Sequence, residues 1–183
     1  MKLKVKYLGE HFEETIGRDE KSIVLLGTVS FRYNWGDVKW YKTALRILKR
    51  LKFKGTVYVP FERSGRLLLS YEEKVKWLFD VCYRATAIVF WNNIEMTKYI
   101  ACSDWLNFGK YCLSGEYKVF YGRSENTSDK ELLDLPYLNV YQQKGKIYKH
   151  LKKLLKDAAV YASEDRVFGM SLAEIAEMQR EIS

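Results

Sequence analysis

The sequence is poor in proline, histidine and cysteine, with two, two and three of these residues among 183. No apolar run approaches the roughly 20 residues that cross a bilayer. The N-terminal stretch "MKLKVKYLGEHFEE" also lacks the apolar core of a signal peptide. These absences argue against a membrane protein and against a secreted one, and we expect a soluble, cytoplasmic protein.

The rare residues also exclude several kinds of site. Cys82, Cys102 and Cys112 form no Cys-x-x-Cys pair and have no metal-ligand spacing with His11 or His150. Reduced cysteines of a core or a helix are therefore predicted, and no metal site. So few histidines argue against a Ser-His-Asp or Cys-His arrangement. The chain has neither a Gly-x-Gly-x-x-Gly nor a P-loop motif, and no cofactor is indicated.

The composition favours one well-buried unit that carries positive charge. There is no repeat, low-complexity tract or flexible linker, and 48% of the residues are hydrophobic. Lys and Arg total 31 against 23 Asp and Glu, which gives a formal net charge of +8. This excess suits an anionic partner such as a phosphorylated metabolite, a nucleic acid or an acidic protein, and charge alone does not choose among them.

Apolar runs and helical periodicities alternate along the chain. Strands are predicted at residues 22–29, 55–60, 86–91, 117–122 and 137–141, and "MKLKVKYL" adds an edge strand. Helices are predicted at residues 38–51, 71–85, 104–114, 146–162 and 171–182. The helix at 71–85 has Ser70 as its N-cap, with Glu73 completing a capping box. The alternation indicates an α/β fold with a doubly wound, mostly parallel, flavodoxin-like sheet of about five strands.

A ligand site follows from this topology, because open α/β sheets bind ligands beyond the carboxyl ends of their strands. The residues at those ends include Gly27, Thr28, Arg32, Tyr33, Trp35, Phe61, Glu62, Arg63, Trp91, Asn92, Asn93, Gly122 and Arg123. Aromatic faces and guanidinium groups that converge on a cleft suit a stacked base and a phosphate. The loops of any basic, aromatic-rich protein have a similar composition, so the absence of a site stays an alternative.

Six stretches resemble, in order and spacing, the motifs of the nucleoside 2-deoxyribosyltransferase-like family over about residues 22–141. They are "IVLLGTV", "VYVPFER", "YEEKVKWLFD", "AIVFW", "WLNFGKY" and "KVFYGRSE". The resemblance implies an enzyme that cleaves or exchanges the N-glycosidic bond of nucleosides or nucleoside monophosphates. It implies that the loop at 27–35 and the turn at 60–63 hold sugar and base, that Gly109 belongs to the site, and that a homo-oligomer completes the sites across an interface.

The sequence departs from the family pattern at the catalytic position. Asn107 and Gly109 stand where the family has Glu-x-Gly, whose glutamate attacks the anomeric carbon. An asparagine can hydrogen-bond and orient a ribose hydroxyl, but it is no anionic nucleophile. Asp104 lies one helical turn earlier and is the candidate catalytic acid, although it also suits an N-cap. Glu62 and Glu95 are the alternative carboxylates.

Three functions stay open. The first is an N-glycosidic-bond enzyme, and the second is a nucleotide-binding protein of the same fold that has lost catalysis. The third is a basic module that binds nucleic acid or an acidic protein through the lysine-rich helix at 146–162, whose charge also suits a merely solvated face.

We divide the chain into an α/β nucleotide-binding domain, residues 1–145, and a C-terminal helical extension, residues 146–183, that packs on the same domain or on a partner subunit. Periodicity predicts which side chains of the extension face the protein. They are Ile147, Leu151, Leu154 and Leu155, with Lys149, Lys152, Lys153 and Lys156 toward solvent.

Overall fold

The computed structural model describes residues 2–10, 21–27, 39–60, 69–92, 118–124, 146–164, 166–167 and 170–171. The predicted strand at 137–141 and the predicted helix at 104–114 lie outside these residues. So do residues 172–182 of the predicted final helix.

Six parallel strands form one sheet. They are β1 (Lys4–Tyr7), β2 (Ser22–Gly27), β3 (Thr56–Val59), β4 (Ala87–Asn92), β5 (Val119–Arg123) and β6 (Ile147–Tyr148). Their order is β1-β3-β2-β4-β5-β6, and every neighbouring pair is parallel. From β3 to β6 this is the flavodoxin-like order, with β1 added at one edge. The α/β, doubly wound prediction is confirmed, with slightly more strands than the five expected.

In the described part of the chain, three helices cover the two faces of the sheet: α1 (Lys39–Arg50), α2 (Tyr71–Arg84) and α3 (Leu151–Ser163). Helices α1 and α3 pack on one face, and α2 packs on the other. In α1, Trp40, Ala44 and Leu48 are buried at spacings of four residues, which directs one stripe of the helix onto the sheet.

The core divides into two layers because strand side chains alternate between faces. Ile23, Leu25 and Val89 point to the α1 and α3 layer, whereas Val24 and Ile88 point to the α2 layer. All six residues of β2 and all six of β4 are buried. This explains why both strands read as nearly continuous apolar runs in the sequence.

The C-terminal segment starts differently from the prediction. A helix was expected from residue 146, but Ile147 and Tyr148 pair with Tyr121 and Gly122 of β5, and α3 begins only at Leu151. The helix prediction is correct from Leu151 on. Ile147 and Tyr148 instead form their backbone hydrogen bonds with the open edge of β5.

The predicted inward side chains of the C-terminal segment are buried or partly buried. Leu154 and Leu155 of α3 are fully buried and Leu151 is partly buried in the α1 and α3 layer, whereas Ile147, in β6, is partly buried on the α2 side of the sheet. Lys149, Lys152, Lys153 and Lys156 are exposed.

Beyond α3, two short strands, β7 (Arg166–Val167) and β8 (Met170–Ser171), form an antiparallel pair. Ser171, predicted as the first residue of the last helix, therefore lies in a strand.

Among the residues described, no helix combines the length and the apolar character needed to cross a membrane.

Candidate functional site

The carboxyl ends of β2, β4 and β5 meet at one edge of the sheet. Gly27 is in register with Trp91, and Trp91 with Gly122. One step further along, Asn92 is in register with Arg123. In the sheet, β3 lies on one side of β2 and β4 lies on the other. The topological switch point, where open α/β sheets bind ligands, is therefore at this edge, between β2 and β4.

The structure thus brings together five of the residues that the sequence predicted for the site: Gly27, Trp91, Asn92, Gly122 and Arg123. The other predicted residues lie outside the described part of the chain. They are Thr28, Arg32, Tyr33, Trp35, Phe61, Glu62, Arg63, Asn93, Glu95, Asp104, Asn107 and Gly109.

Trp91 has a packing role in the structure. Its side chain is 6% exposed and belongs to the core layer under α1 and α3. A Cβ atom built on Gly122 would lie 2.8 Å from Cζ3 of Trp91 and 2.5 Å from Cδ1 of Leu154. The indole ring therefore fills the space over Gly122, and only a residue without a side chain fits below it.

Gly27 is also closely packed. A Cβ atom there would collide with the backbone carbonyl oxygen of Trp91 and would lie 2.8 Å from Cζ2 of Trp40. Close packing thus explains both glycines that the sequence suggested as ligand contacts: the neighbouring backbone and Trp40 crowd Gly27, and Leu154 and the ring of Trp91 crowd Gly122.

Asn92 and Arg123 are the polar pair of this edge. Asn92 is 4% exposed, and Arg123 is partly exposed. Strand alternation sets both on the α2 side, with Phe90 and Tyr121. The backbone N–H of Ser124 donates to the carbonyl oxygen of Asn92 at 2.8 Å, which extends the β4–β5 pairing past Arg123.

This pair offers defined binding chemistry. An amide both donates and accepts hydrogen bonds, and a guanidinium offers five donors that match a phosphate or a carboxylate. None of the five residues 91, 92, 122, 123 and 124 has a carboxylate side chain. These two strand ends can bind and orient a ligand, and any acid for catalysis must come from another part of the edge.

The other buried polar residue among those described lies at the opposite end of the sheet. Ser22 N–H donates to Oγ1 of Thr86 at 3.3 Å, and Thr86 N–H donates to Oγ of Ser22 at 3.0 Å. These reciprocal bonds join the amino ends of β2 and β4. The hydrogen bonds to Thr86 thus account for Ser22, whereas Asn92 is the buried polar residue at the carboxyl end of the described strands.

The N-terminus of α2 also faces the carboxyl edge, but it is closed by its own side chains. Glu73 N–H donates to Oγ of Ser70 at 3.2 Å, and Ser70 N–H donates to Oε2 of Glu73 at 2.7 Å. The hydrogen bonds from the backbone and side chain of Ser70 lower the pKa of Glu73 from its ordinary value. The predicted capping box is confirmed, and the carboxylate of Glu73 makes this helix end unfavourable for a further anion.

Sequence reasoning did not include Trp40, in the predicted helix at 38–51, among the site residues. Trp40 lies in the first turn of α1 beside Gly27, and its indole Nε1 is buried without a hydrogen-bond partner among the described residues. It adds an N–H donor close to the end of β2. In the sequence, only its position just after the loop that follows the first predicted strand could have indicated this role.

Comparisons of the chain with models of known protein families and with curated protein sequences find no match.

Proposed function

We propose that the protein binds a nucleoside or nucleoside monophosphate at the edge formed by the carboxyl ends of β2, β4 and β5, and acts on its N-glycosidic bond. The observation that carries the proposal is the in-register pair of Asn92 and Arg123 at the carboxyl ends of β4 and β5, beside the topological switch point between β2 and β4. A fixed amide beside a guanidinium suits a ligand that combines hydroxyl groups with an anionic group.

The proposed roles follow from these groups. Arg123 pairs with a 5′-phosphate or stacks on a base, because guanidinium planes do both. Asn92 holds a sugar hydroxyl or a base edge, since a buried amide is specific for groups that satisfy it.

The reaction would break the bond between the anomeric carbon and the base nitrogen. The base leaves with the bonding electron pair and takes up a proton, and water or a second base attacks the anomeric carbon. The oxocarbenium-like transition state needs a nearby carboxylate. Asp104 is the proposed acid and Asn107 the substrate-orienting residue, with Glu62 and Glu95 as the alternatives. Hydrolase and deoxyribosyltransferase differ only in the acceptor.

A second candidate function is nucleotide binding without catalysis, in a sensor or sequestering protein. Asn107 favours it, because it stands where the resembling family has its nucleophilic glutamate. Binding would then rest on the same edge of the sheet.

One experiment separates the two candidates. A panel of nucleosides and 5′-monophosphates is screened for thermal stabilisation of the protein and for release of free base. A ligand at about 100 times its Kd stabilises the folded state by about 2.7 kcal/mol, which raises Tm by about 5–10 °C for a chain of this length. Stabilisation with base release supports the enzyme, and stabilisation without release supports the binding protein. No stabilisation by any member would refute both.

A further inference from the structure

Among the described helices, basic residues are concentrated on one face of the sheet. From residue 39 to residue 54, which spans α1 and the following turn, seven residues are Lys or Arg and none is Asp or Glu. From residue 146 to residue 156, five are Lys and none is acidic. The acidic residue of α3 is Asp157, whose carboxylate accepts a hydrogen bond from the hydroxyl of Tyr148 at 2.9 Å. Helix α2, on the opposite face, has three acidic and three basic residues. The asymmetry therefore belongs to the α1 and α3 layer.

Helices α1 and α3 contact each other on the same face of the sheet. Both follow parallel strands and run back across the sheet, so their axes lie about 8–10 Å apart. Their exposed basic residues form two neighbouring rows, about 10 Å long on α1 and about 6 Å long on α3. We call these rows the basic face. It consists of Lys42, Arg46 and Lys49 of α1 and Lys152, Lys153 and Lys156 of α3, all of which are exposed.

The charges of the basic face are not used within the described structure. No ion pair is formed by these six residues with other described residues. Arg46 donates to the carbonyl oxygen of Lys42 at 3.4 Å and to Oγ1 of Thr43 at 3.1 Å, which holds its guanidinium along the helix surface.

The placement of the lysines works against helix stability. Lys152 and Lys153 lie in the first turn of α3, which contains no acidic residue. Positive charge at a helix N-terminus opposes the helix dipole. Stabilisation of α3 therefore does not explain these lysines. The helix dipole and the ammonium groups both favour an anion at this end of α3.

We propose that the basic face binds the phosphate backbone of duplex nucleic acid without reading its sequence. Two rows of cations match a duplex, which carries about one phosphate charge per 1.7 Å of its axis. Binding of single strands relies on exposed aromatic side chains for stacking, and membrane-surface helices present large apolar side chains. The exposed aromatic residues among those described, Phe79 and Tyr83, lie on α2, and Val160 is the exposed large apolar residue of α3.

The test uses the full chain and a fluorescein-labelled DNA duplex of about 20 base pairs with arbitrary sequence, followed by fluorescence anisotropy. We expect the affinity to fall as salt is added, with log Kd rising linearly with the logarithm of the salt concentration. The double variant Lys152→Glu and Lys153→Glu should weaken binding at least about tenfold at low salt and reduce the salt slope by about two. Its carboxylates favour the first turn of α3, so the fold is retained.

The matched control is the double variant Lys74→Glu and Lys76→Glu on α2, which makes the same change of charge on the opposite face. It should retain most of the affinity. Equal loss of affinity in the two double variants would show that net charge alone acts, and would overturn the proposal. The proposal would equally be overturned if the wild type failed to bind duplex at low salt, bound single strands more tightly, or preferred anionic vesicles or polyglutamate. This proposal does not depend on the nucleotide site.

Discussion

At the scale of single residues, close packing at the strand ends explains the glycines there. A methyl group on Gly122 would press on Leu154 and on the ring of Trp91. We expect Gly122→Ala to lower the free energy of unfolding by about 1–3 kcal/mol, as overpacking does, measured by urea denaturation. Lys156→Ala on the exposed side of α3 should change it by less than about 0.5 kcal/mol.

A second variant tests the cause of that loss. Leu154→Val removes the methyl group nearest to Gly122, so the double variant with Gly122→Ala should lose less stability than the sum of the two single losses. Additive losses would show that the clash with Leu154 is not the reason.

The substitutions Trp91→Ala and Arg123→Ala should have different effects on stability and on the response to ligand. Trp91→Ala removes a buried ring and should cost about 3–5 kcal/mol of stability, so it reports on the fold. Arg123→Ala should leave Tm without ligand almost unchanged but abolish stabilisation by the nucleotide found in the ligand screen. Arg50→Ala, at an exposed position of α1, is the matched control. A full ligand response in Arg123→Ala would contradict the placement of the site.

Variants of Asp104 and Asn107 test which residue supplies the carboxylate that N-glycosidic bond cleavage needs. If Asp104 is the catalytic acid, Asp104→Ala should lower the rate of base release by orders of magnitude with little change in ligand binding, because the acid acts mainly in the transition state. Turnover that survives this change would eliminate Asp104 and redirect the search to Glu62, Glu95 or a neighbouring subunit. If the wild type releases no base, Asn107→Glu should restore measurable cleavage.

At the scale of secondary-structure elements, the capping box sets where α2 begins. Ser70→Ala should reduce stability by about 1 kcal/mol. The pKa of Glu73 is lowered in the folded protein, so its charge stabilises the fold above its ordinary pKa of 4.5, and this contribution is lost as the pH falls through the lower folded value. The difference in Tm between wild type and Glu73→Gln should therefore shrink between pH 7 and pH 3. A constant difference would rule out the charge as its cause.

At the scale of the whole molecule, the C-terminal segment completes the sheet and its core. Strand β6 covers the edge of β5, and Leu154 and Leu155 of α3 are fully buried in the layer that α1 shares. A chain of residues 1–145 would expose this apolar surface and an unpaired strand edge. We expect it to aggregate or to change its oligomeric state, measured by light scattering and size-exclusion chromatography. A soluble, folded chain in an unchanged state would contradict this.

The sequence alone determined the features that depend on neighbours along the chain. The apolar runs of β2 and β4, the amphipathic stripes of α1 and α3, and the capping box were all predicted correctly. Each arises from local periodicity or from a hydrogen bond across three residues, which a short window of sequence contains. The parallel order of the sheet followed because alternating strands and helices permit few connections.

The tertiary structure decided the features that depend on distant partners. Ile147 and Tyr148 are a strand because β5 offers an open edge to them, and their own sequence continues the helical pattern of α3. Trp91 belongs to the core because Gly122, on the next strand, leaves room for its ring. Asn92 and Arg123 become a pair only through the register of β4 and β5. These outcomes depend on which residue lies opposite which across the sheet, and no local pattern in one strand records its partner.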